Sequence, residues 1–338
     1  MKKTLLAVAL TAASFTAVAD MSISGHANLK AGFLEDFQSG GVSAVQGNED
    51  LTVGDANTSQ SRFRIKSSTE ANGVTYASSF EFGFTKGGIS NRVNEVTAGG
   101  SLGKISLGQG SLAGDGASEN DFSGTYLLAG DLSSWELGGD LNDNASKDIN
   151  REERIRYDAP AIGNLALAVS VNDSNGSDAT FTTGAALSAV TVKKAAVSGN
   201  DTGNDVSVSA SYNLANFAAS VAMVSAEADD SDVVTASVAG KMSGFTAAVQ
   251  LYTKEGAAGN DFEQTRVIVG YNPGPFSVSV DFQQTEDDNK TIEAETMGLN
   301  FVYRPAKGVE LYAGARSAEA NDGALDENAF LMGARVKF

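Results

Sequence analysis

The feature that most restricts what this chain can become is the order of its connections. Segments of alternating apolar and polar residues follow one another along the sequence, and the links between them are alternately short and long. Successive side chains of a strand point to opposite faces of its sheet, so a period of two marks strands rather than helices. In Ser22 to Phe33, Ile23, Ala27, Leu29, Ala31 and Phe33 share one face; Ser22, Ser24, His26, Asn28 and Lys30 share the other. Likewise Phe276, Val278, Val280 and Phe282 oppose Ser277, Ser279, Asp281 and Gln283. Sixteen strands are expected, near 20–35, 60–70, 74–85, 91–100, 104–110, 151–160, 164–172, 206–213, 216–226, 232–241, 243–254, 262–271, 275–285, 295–304, 308–318 and 328–338. Seven links are tight: Ala71-Asn72-Gly73, Ser101-Leu102-Gly103, Ala161-Ile162-Gly163, Leu214-Ala215, Met242, Asn272-Pro273-Gly274 and Pro305-Ala306-Lys307. A soluble sandwich has no reason to gather its long loops at one end. A transmembrane barrel does, with short turns inside and long loops outside the cell.

Charge placement agrees. The loops 36–59, 111–150, 173–205, 227–231, 255–261, 286–294 and 319–327 hold 29 of the 42 acidic residues, so acids gather where water is. The strands have about the 9–11 residues a tilted strand needs to cross hydrocarbon. An unpaired sheet edge cannot be hydrated in lipid, so the sheet must close. The expectation is a 16-stranded antiparallel transmembrane β-barrel with short periplasmic turns, long external loops and one loop folded into the lumen. Ala185 to Val197 also has strand character, and counting it as a hairpin would give eighteen strands; sixteen is the reading taken.

The first residues read as a leader rather than as part of the fold. Lys2 and Lys3 precede an apolar run from Leu5 to Phe15, and Ala17-Val18-Ala19 is a cleavage pattern of the A-x-A kind. The run falls short of the roughly 20 residues of a membrane helix. Residues 1–19 are thus an expected signal peptide, and 20–338 a single barrel domain with 111–150 as its constriction loop.

Other chemistries are poorly supplied. The chain has no cysteine and a single histidine, His26, which excludes disulfides, thiolate metal sites and mechanisms needing two imidazoles. A formal charge of −18 repels phosphate backbones and argues against nucleic-acid binding. Gly99-Gly100-Ser101-Leu102-Gly103 fits the G-x-S-x-G pattern, but a strand follows where a nucleophile elbow needs a helix, and His26 lies upstream. Gly108-Gln109-Gly110 with Ala113 is not followed by the helix of a dinucleotide site. Neither an enzyme nor a resident cofactor is expected, and the acidic loops offer only loose binding of divalent cations.

The polar face itself carries chemistry. Lys30, Arg62, Arg64, Lys66 and Arg92 lie on it in the early strands, and Arg154 and Arg156 alternate with Ile155 and Tyr157. Arginines facing a water-filled lumen stay hydrated, whereas facing lipid at mid-depth each would cost about 2–4 kcal/mol. The loop 111–150 brings the opposite sign with Asp115, Glu119, Asp121, Asp131, Glu136, Asp140, Asp143 and Asp148. Folded inward, it would set acids against arginines across a narrow gap.

Several segments resemble the general diffusion porin family of Gram-negative bacterial outer membranes. Ser61-Arg62-Phe63-Arg64-Ile65-Lys66-Ser67-Ser68 looks like the family's second strand. Arg92 to Ala98 with Gly100-Ser101-Leu102-Gly103-Lys104-Ile105-Ser106-Leu107-Gly108 looks like its fourth and fifth. Arg154-Ile155-Arg156-Tyr157-Asp158-Ala159-Pro160 resembles the strand after the constriction loop, and Trp135-Glu136-Leu137-Gly138-Gly139-Asp140 is similar to that loop's acidic tip, with Trp135 where a proline is usual. The end, Gly333-Ala334-Arg335-Val336-Lys337-Phe338, is similar to the signal read by the outer-membrane assembly machinery, with Phe338 as the terminal aromatic. The resemblance implies a homotrimer in outer-membrane lipid and lipopolysaccharide, passing small hydrophilic solutes by diffusion. It implies a constriction wall with His26, Arg62 and Arg92, Arg154 and Arg156 nearby, and Glu136 and Asp140 on the inserted loop; the polar face adds Lys30 and Arg64 to the expected basic side, and the loop adds Asp131 to the acidic side. A weak cation preference is expected from the overall charge. The alternatives are a barrel that serves as an adhesin or is plugged, without channel activity, and a soluble exported β protein. Two positions depart from the pattern: Gln109 stands where an arginine is common, and Glu95, counted in twos from Arg92, falls on the outward face. The latter implies either a subunit contact or a shift of register.

Overall fold

The computed structural model describes residues 20–34, 51–56, 59–85, 88–129, 151–173, 204–226, 231–255, 261–287, 293–320 and 325–338. The expected leader, the segment Ala185 to Val197 and the loop acids Asp131, Glu136 and Asp140 lie outside these residues.

The described chain is almost entirely strand. In order it forms β1 (Asp20–Leu34), β2 (Thr52–Asp55), β3 (Ser61–Ala71), β4 (Val74–Thr85), β5 (Gly88–Gly100), β6 (Gly103–Ser111), one helical turn α1 (Tyr126–Ala129), β7 (Arg151–Asp158), β8 (Leu165–Asp173), β9 (Asn204–Leu214) and β10 (Phe217–Ala226). It continues with β11 (Ser231–Met242), β12 (Phe245–Glu255), β13 (Phe262–Tyr271), β14 (Phe276–Asp287), β15 (Glu293–Ala306), β16 (Val309–Ala320) and β17 (Leu325–Lys337). Each long strand pairs antiparallel with its sequence neighbour, and β1 pairs with β17, which closes the sheet.

The count of seventeen resolves into sixteen staves. β1 pairs through Asp20 to His26 with β3 and through Leu29 to Gly32 with the short β2. β2 and β3 therefore run in line as one interrupted stave, a break that the period of two did not reveal. The other fifteen strands fall where the alternation places them. The tight turns lie within a residue or two of expectation. The link expected at Met242 is in fact Ser243-Gly244, with φ values of 53° and 85°; positive φ at both central residues is the hairpin turn that matches strand twist. Asn72-Gly73 has the same form.

The two faces of the wall are inverted relative to a soluble protein. On β15, Met297 is 59% exposed while Asn300 is fully buried. Phe282, Leu299, Phe301 and Leu251 are exposed in the same way, and Gln250, Gln264, Gln283 and Thr296 are buried. Exposing a large apolar side chain to water forfeits about 1.5–3 kcal/mol, and no solvent but hydrocarbon removes that penalty over a whole surface. At the turn end, Phe245 lies 4.6 Å from Tyr271 with the rings tilted, and Phe276 stacks on Tyr303 at 4.7 Å. Aromatic residues at that level form the girdle of a membrane interface.

Candidate functional site

The basic residues of the early strands converge on a carboxylate. On the inner face of β3, Arg64 lies directly opposite Glu81 of β4. Glu81 accepts from Arg64 Nε at 2.8 Å and from Arg92 Nε at 3.0 Å, and Arg62 Nη1 stands 3.6 Å away. The Glu81 side chain is 4% exposed while that of Arg64 is 38% exposed, so the acid is covered and Arg64 faces the interior, with Arg62 and Arg92 less exposed beside it. Gly83, opposite Arg62, makes room: a Cβ there would come within 2.9 Å of Arg92 Cδ. Sequence reasoning missed Glu81 as the hub; its signal was an acid alone among the cross-strand partners of Arg62, Arg64 and Lys66.

A bulge explains the anomaly at Glu95. Between Glu81 and Phe82 the pairing of β4 with β5 shifts by one residue, from Val93 to Asn91. The extra residue, Arg92, turns inward, and every position after it changes face. Glu95 therefore faces inward and accepts from Arg154 Nη2 at 2.6 Å. Asn91 and Gln109 remain outside and bond to each other at 2.7 Å.

Arg154 and Arg156 do not join the Glu81 cluster. Arg154 donates to the carbonyls of Ser111 and Gly108, both at 2.8 Å, and Arg156 donates to the carbonyl of Leu112 at 2.7 Å and to Asp158. Both guanidiniums thus hold the root of the segment that leaves β6. His26 on β1 donates from Nε2 to the carbonyls of Gln60 at 2.8 Å and Ser59 at 3.1 Å. Lys30 sits on the same inner face, opposite Gly333 and Gly54. Phe338 closes the seam: its backbone exchanges two 3.0 Å hydrogen bonds with Gly25, and its ring is exposed on the outer face.

Residues 112–129 run along the inner wall from β8 to β17. Their backbone is received by a ladder of inward hydroxyls. Ser170 accepts from Ala113 N and Ser207 from Gly114 N, both at 2.9 Å, and Ser220 donates to the Ala117 carbonyl at 2.6 Å. Further on, Thr125 Oγ1 meets Ser279 Oγ at 2.7 Å, and Arg304 holds the Gly124 carbonyl. Three apolar patches interrupt the polar wall, and each is capped by this segment. Leu112 and Ala117 pack on Ala222 and Val224; Phe122 covers Ala239, Ala248 and Ile268; Leu127 and Leu128 fill a site made by Val302, Tyr312, Ala329 and Leu331. The acids of this segment are occupied: Asp115 pairs with Arg151 at 3.5 Å, and Asp121 accepts from the Ser123 amide and hydroxyl at 2.6 Å. Burial pushes the Asp121 carboxyl above its ordinary value, and the bonds from Ser123 oppose that shift. The acids expected to face the arginines more directly are those outside the described residues.

Two further carboxylates organise the wall. Glu310 on β16 gathers Arg335 at 2.6 Å, Lys337 at 3.1 Å and Arg304 at 3.3 Å. Asp281 on β14 accepts from Arg316 at 2.6 Å, Asn300 at 2.7 Å and Arg266 at 2.8 Å. Among the described residues no cluster of acids and histidine is arranged to hold a metal ion. What the site offers is a charged wall with a strap of backbone laid across more than half of it.

A model of the family described as Gram-negative porin matches residues 4–323. No curated protein matches the sequence significantly. The solved structures that resemble the barrel include the anion-selective porin from Comamonas acidovorans, with TM-score 0.70 and 14% identity, covering 95% of this chain and 100% of that one. The outer-membrane protein OmpT of Vibrio cholerae gives 0.66 and 13%, covering 95% and 98%. A mutant of Rh. blastica porin gives 0.63 and 18%, covering 94% and 100%.

Proposed function

Since the chain belongs to the Gram-negative porin family and is a multi-pass outer-membrane porin, we propose that its barrel passes small hydrophilic solutes and ions by diffusion, without catalysis. The observation that carries this reading is the part of the inner wall that the described residues leave uncovered. The segment 112–129 lies over β8 to β17, and the arginines of β3 and β5, Arg64 the most exposed of them, stand on the other side. A hydrated gap bounded by a fixed strap and a charged wall admits solutes that keep their water and excludes apolar ones that cannot. On this reading 111–150 is the constriction loop, residues 1–19 are a cleaved leader, and Phe338 is read by the assembly machinery. The chain works as a homotrimer in lipid and lipopolysaccharide, as its family suggests. Removal of residues 1–19 takes away two lysines and leaves a formal charge of about −20, which enriches cations at the mouths.

Planar-bilayer recordings test the proposal. Stepwise conductance increments, with a size limit for neutral sugars, are expected; a folded barrel that inserts silently overturns it. In a salt gradient, a reversal potential favouring cations assigns selectivity to the acidic mouths, and one favouring anions assigns it to the arginine wall.

A further inference from the structure

The barrel seam joins the two basic clusters into one strip. The inner-face register runs Arg62 of β3 opposite His26 of β1, and His26 opposite Lys337 of β17. With strands about 4.8 Å apart, Arg62 and Lys337 are roughly 10 Å apart at the backbone. Ser59, in the break between β2 and β3 with φ of 56°, ties the halves together. Its carbonyl accepts from His26 at 3.1 Å and from Asn28 at 3.0 Å, and its hydroxyl accepts from Arg335 at 2.8 Å.

The strip is unbalanced in charge and in accessibility. Six cations surround two carboxylates, Glu81 and Glu310. The carboxylate side chains are 4% and 9% exposed, while those of Arg64 and Lys337 are 38% and 46% exposed. The negative charges are thus sunk behind the positive ones. Arg62 is the least satisfied member. Its ion pair among the described residues is the long one to Glu81 at 3.6 Å, and its buried Nε has no hydrogen-bond partner. Arg154, by contrast, spends all three of its nitrogens on fixed acceptors. A guanidinium fork with unused donors matches carboxylate and phosphate oxygens.

We propose that this strip, centred on Arg62 and reaching to Lys337, is a transit site for small solutes bearing carboxylate or phosphate groups, dianions ahead of monoanions. The proposal rests on the channel reading and narrows its substrate class. A solute with two anionic groups engages Arg62, Arg64 and Arg92 on one side of β1 and Lys337 on the other, while the buried acids do not approach it.

The test uses the purified full chain in planar bilayers in potassium chloride, with succinate or inorganic pyrophosphate added at constant ionic strength. Saturable reduction of the current is expected. Arg62→Gln should raise the half-blocking concentration roughly fivefold, the weight of one exposed unit-charge contact at about 4 Å in water. Lys337→Gln should do the same from the other end. Block by one probe and not the other supports the site and fixes the oxyanion it reads. Current that follows ionic strength alone, or an unchanged half-blocking concentration in R62Q, overturns the proposal. Calorimetric titration of the detergent-solubilised protein with pyrophosphate separates the two readings. Binding without conductance steps removes the channel and leaves the site; steps without binding remove the site and leave the channel.

Discussion

Replacing Leu128 by Ala tests what holds the strap against the wall. Leu128 is fully buried among Val302, Tyr312, Ala329 and Leu331, on a face that is otherwise polar. A Leu→Ala change in a packed site costs about 2.7–5 kcal/mol. Here the site is one side of a thin segment that can partly collapse, so the lower end, about 3 kcal/mol, is the better figure. That loss shifts the ratio of docked to undocked α1 by about two powers of ten. The serine ladder remains, and each of its bonds is worth only about 0.5–1.5 kcal/mol net. The bonds upstream of Thr125 should therefore keep residues 112–124 in place while the helical turn lifts and reseats. In single-channel records L128A should give the same number of steps as the parent, with added open-channel noise and a slightly larger sugar size limit. Parent-like noise in a variant whose seminative gel mobility shows a folded barrel would refute the argument. The hydroxyl ladder alone would then suffice, and the apolar patch would be incidental.

Other outcomes follow from the same contacts. Glu81→Gln leaves Arg62, Arg64 and Arg92 facing one another without their counter-charge; the reversal potential should move toward anions, and thermal stability should fall by about 1–3 kcal/mol, discounted for the exposed arginines. Arg154→Ala removes three donors from the loop root and should raise current noise beyond that of L128A, measured in the same records. Asp121 has its carboxyl raised by burial in the docked segment, so docking is penalised above that raised value and the penalty is relieved as pH falls through it toward 3.8; noise should diminish from neutral pH to about pH 4, and Asp121→Asn should be quiet throughout. A noise level independent of pH in the parent would remove Asp121 from the account. Deleting Phe338 loses the paired hydrogen bonds to Gly25, so the yield of folded barrel in membranes should fall while any channels that form keep their conductance.

Strand positions were legible because lipid on one side and water on the other enforce a period of two, and Asn72-Gly73 carries its turn geometry in its residue types. Features that break the period were not. The bulge at Arg92 leaves no mark except its consequence, a glutamate on the wrong face by counting. The break at Ser59 depends on contacts from β1 and β17, far away in sequence. The role of Glu81 needed the register of three strands. The three apolar patches left a fainter trace: Val302, Tyr312 and Leu331 are apolar or aromatic at inward positions, where polar residues would otherwise be expected. Arg154 and Arg156 were rightly placed on the inner face, yet only the path of the loop reveals that they bind its root.

The claim beneath all of this is that alternate residues of each strand touch hydrocarbon and water. Single cysteines from Ile23 to Phe33 can be introduced into a chain that has none and probed in liposomes with a membrane-impermeant maleimide. Labelling should alternate, with Ser24 and Lys30 reactive and Ile23, Leu29 and Phe33 protected. Uniform labelling along the strand would contradict the account.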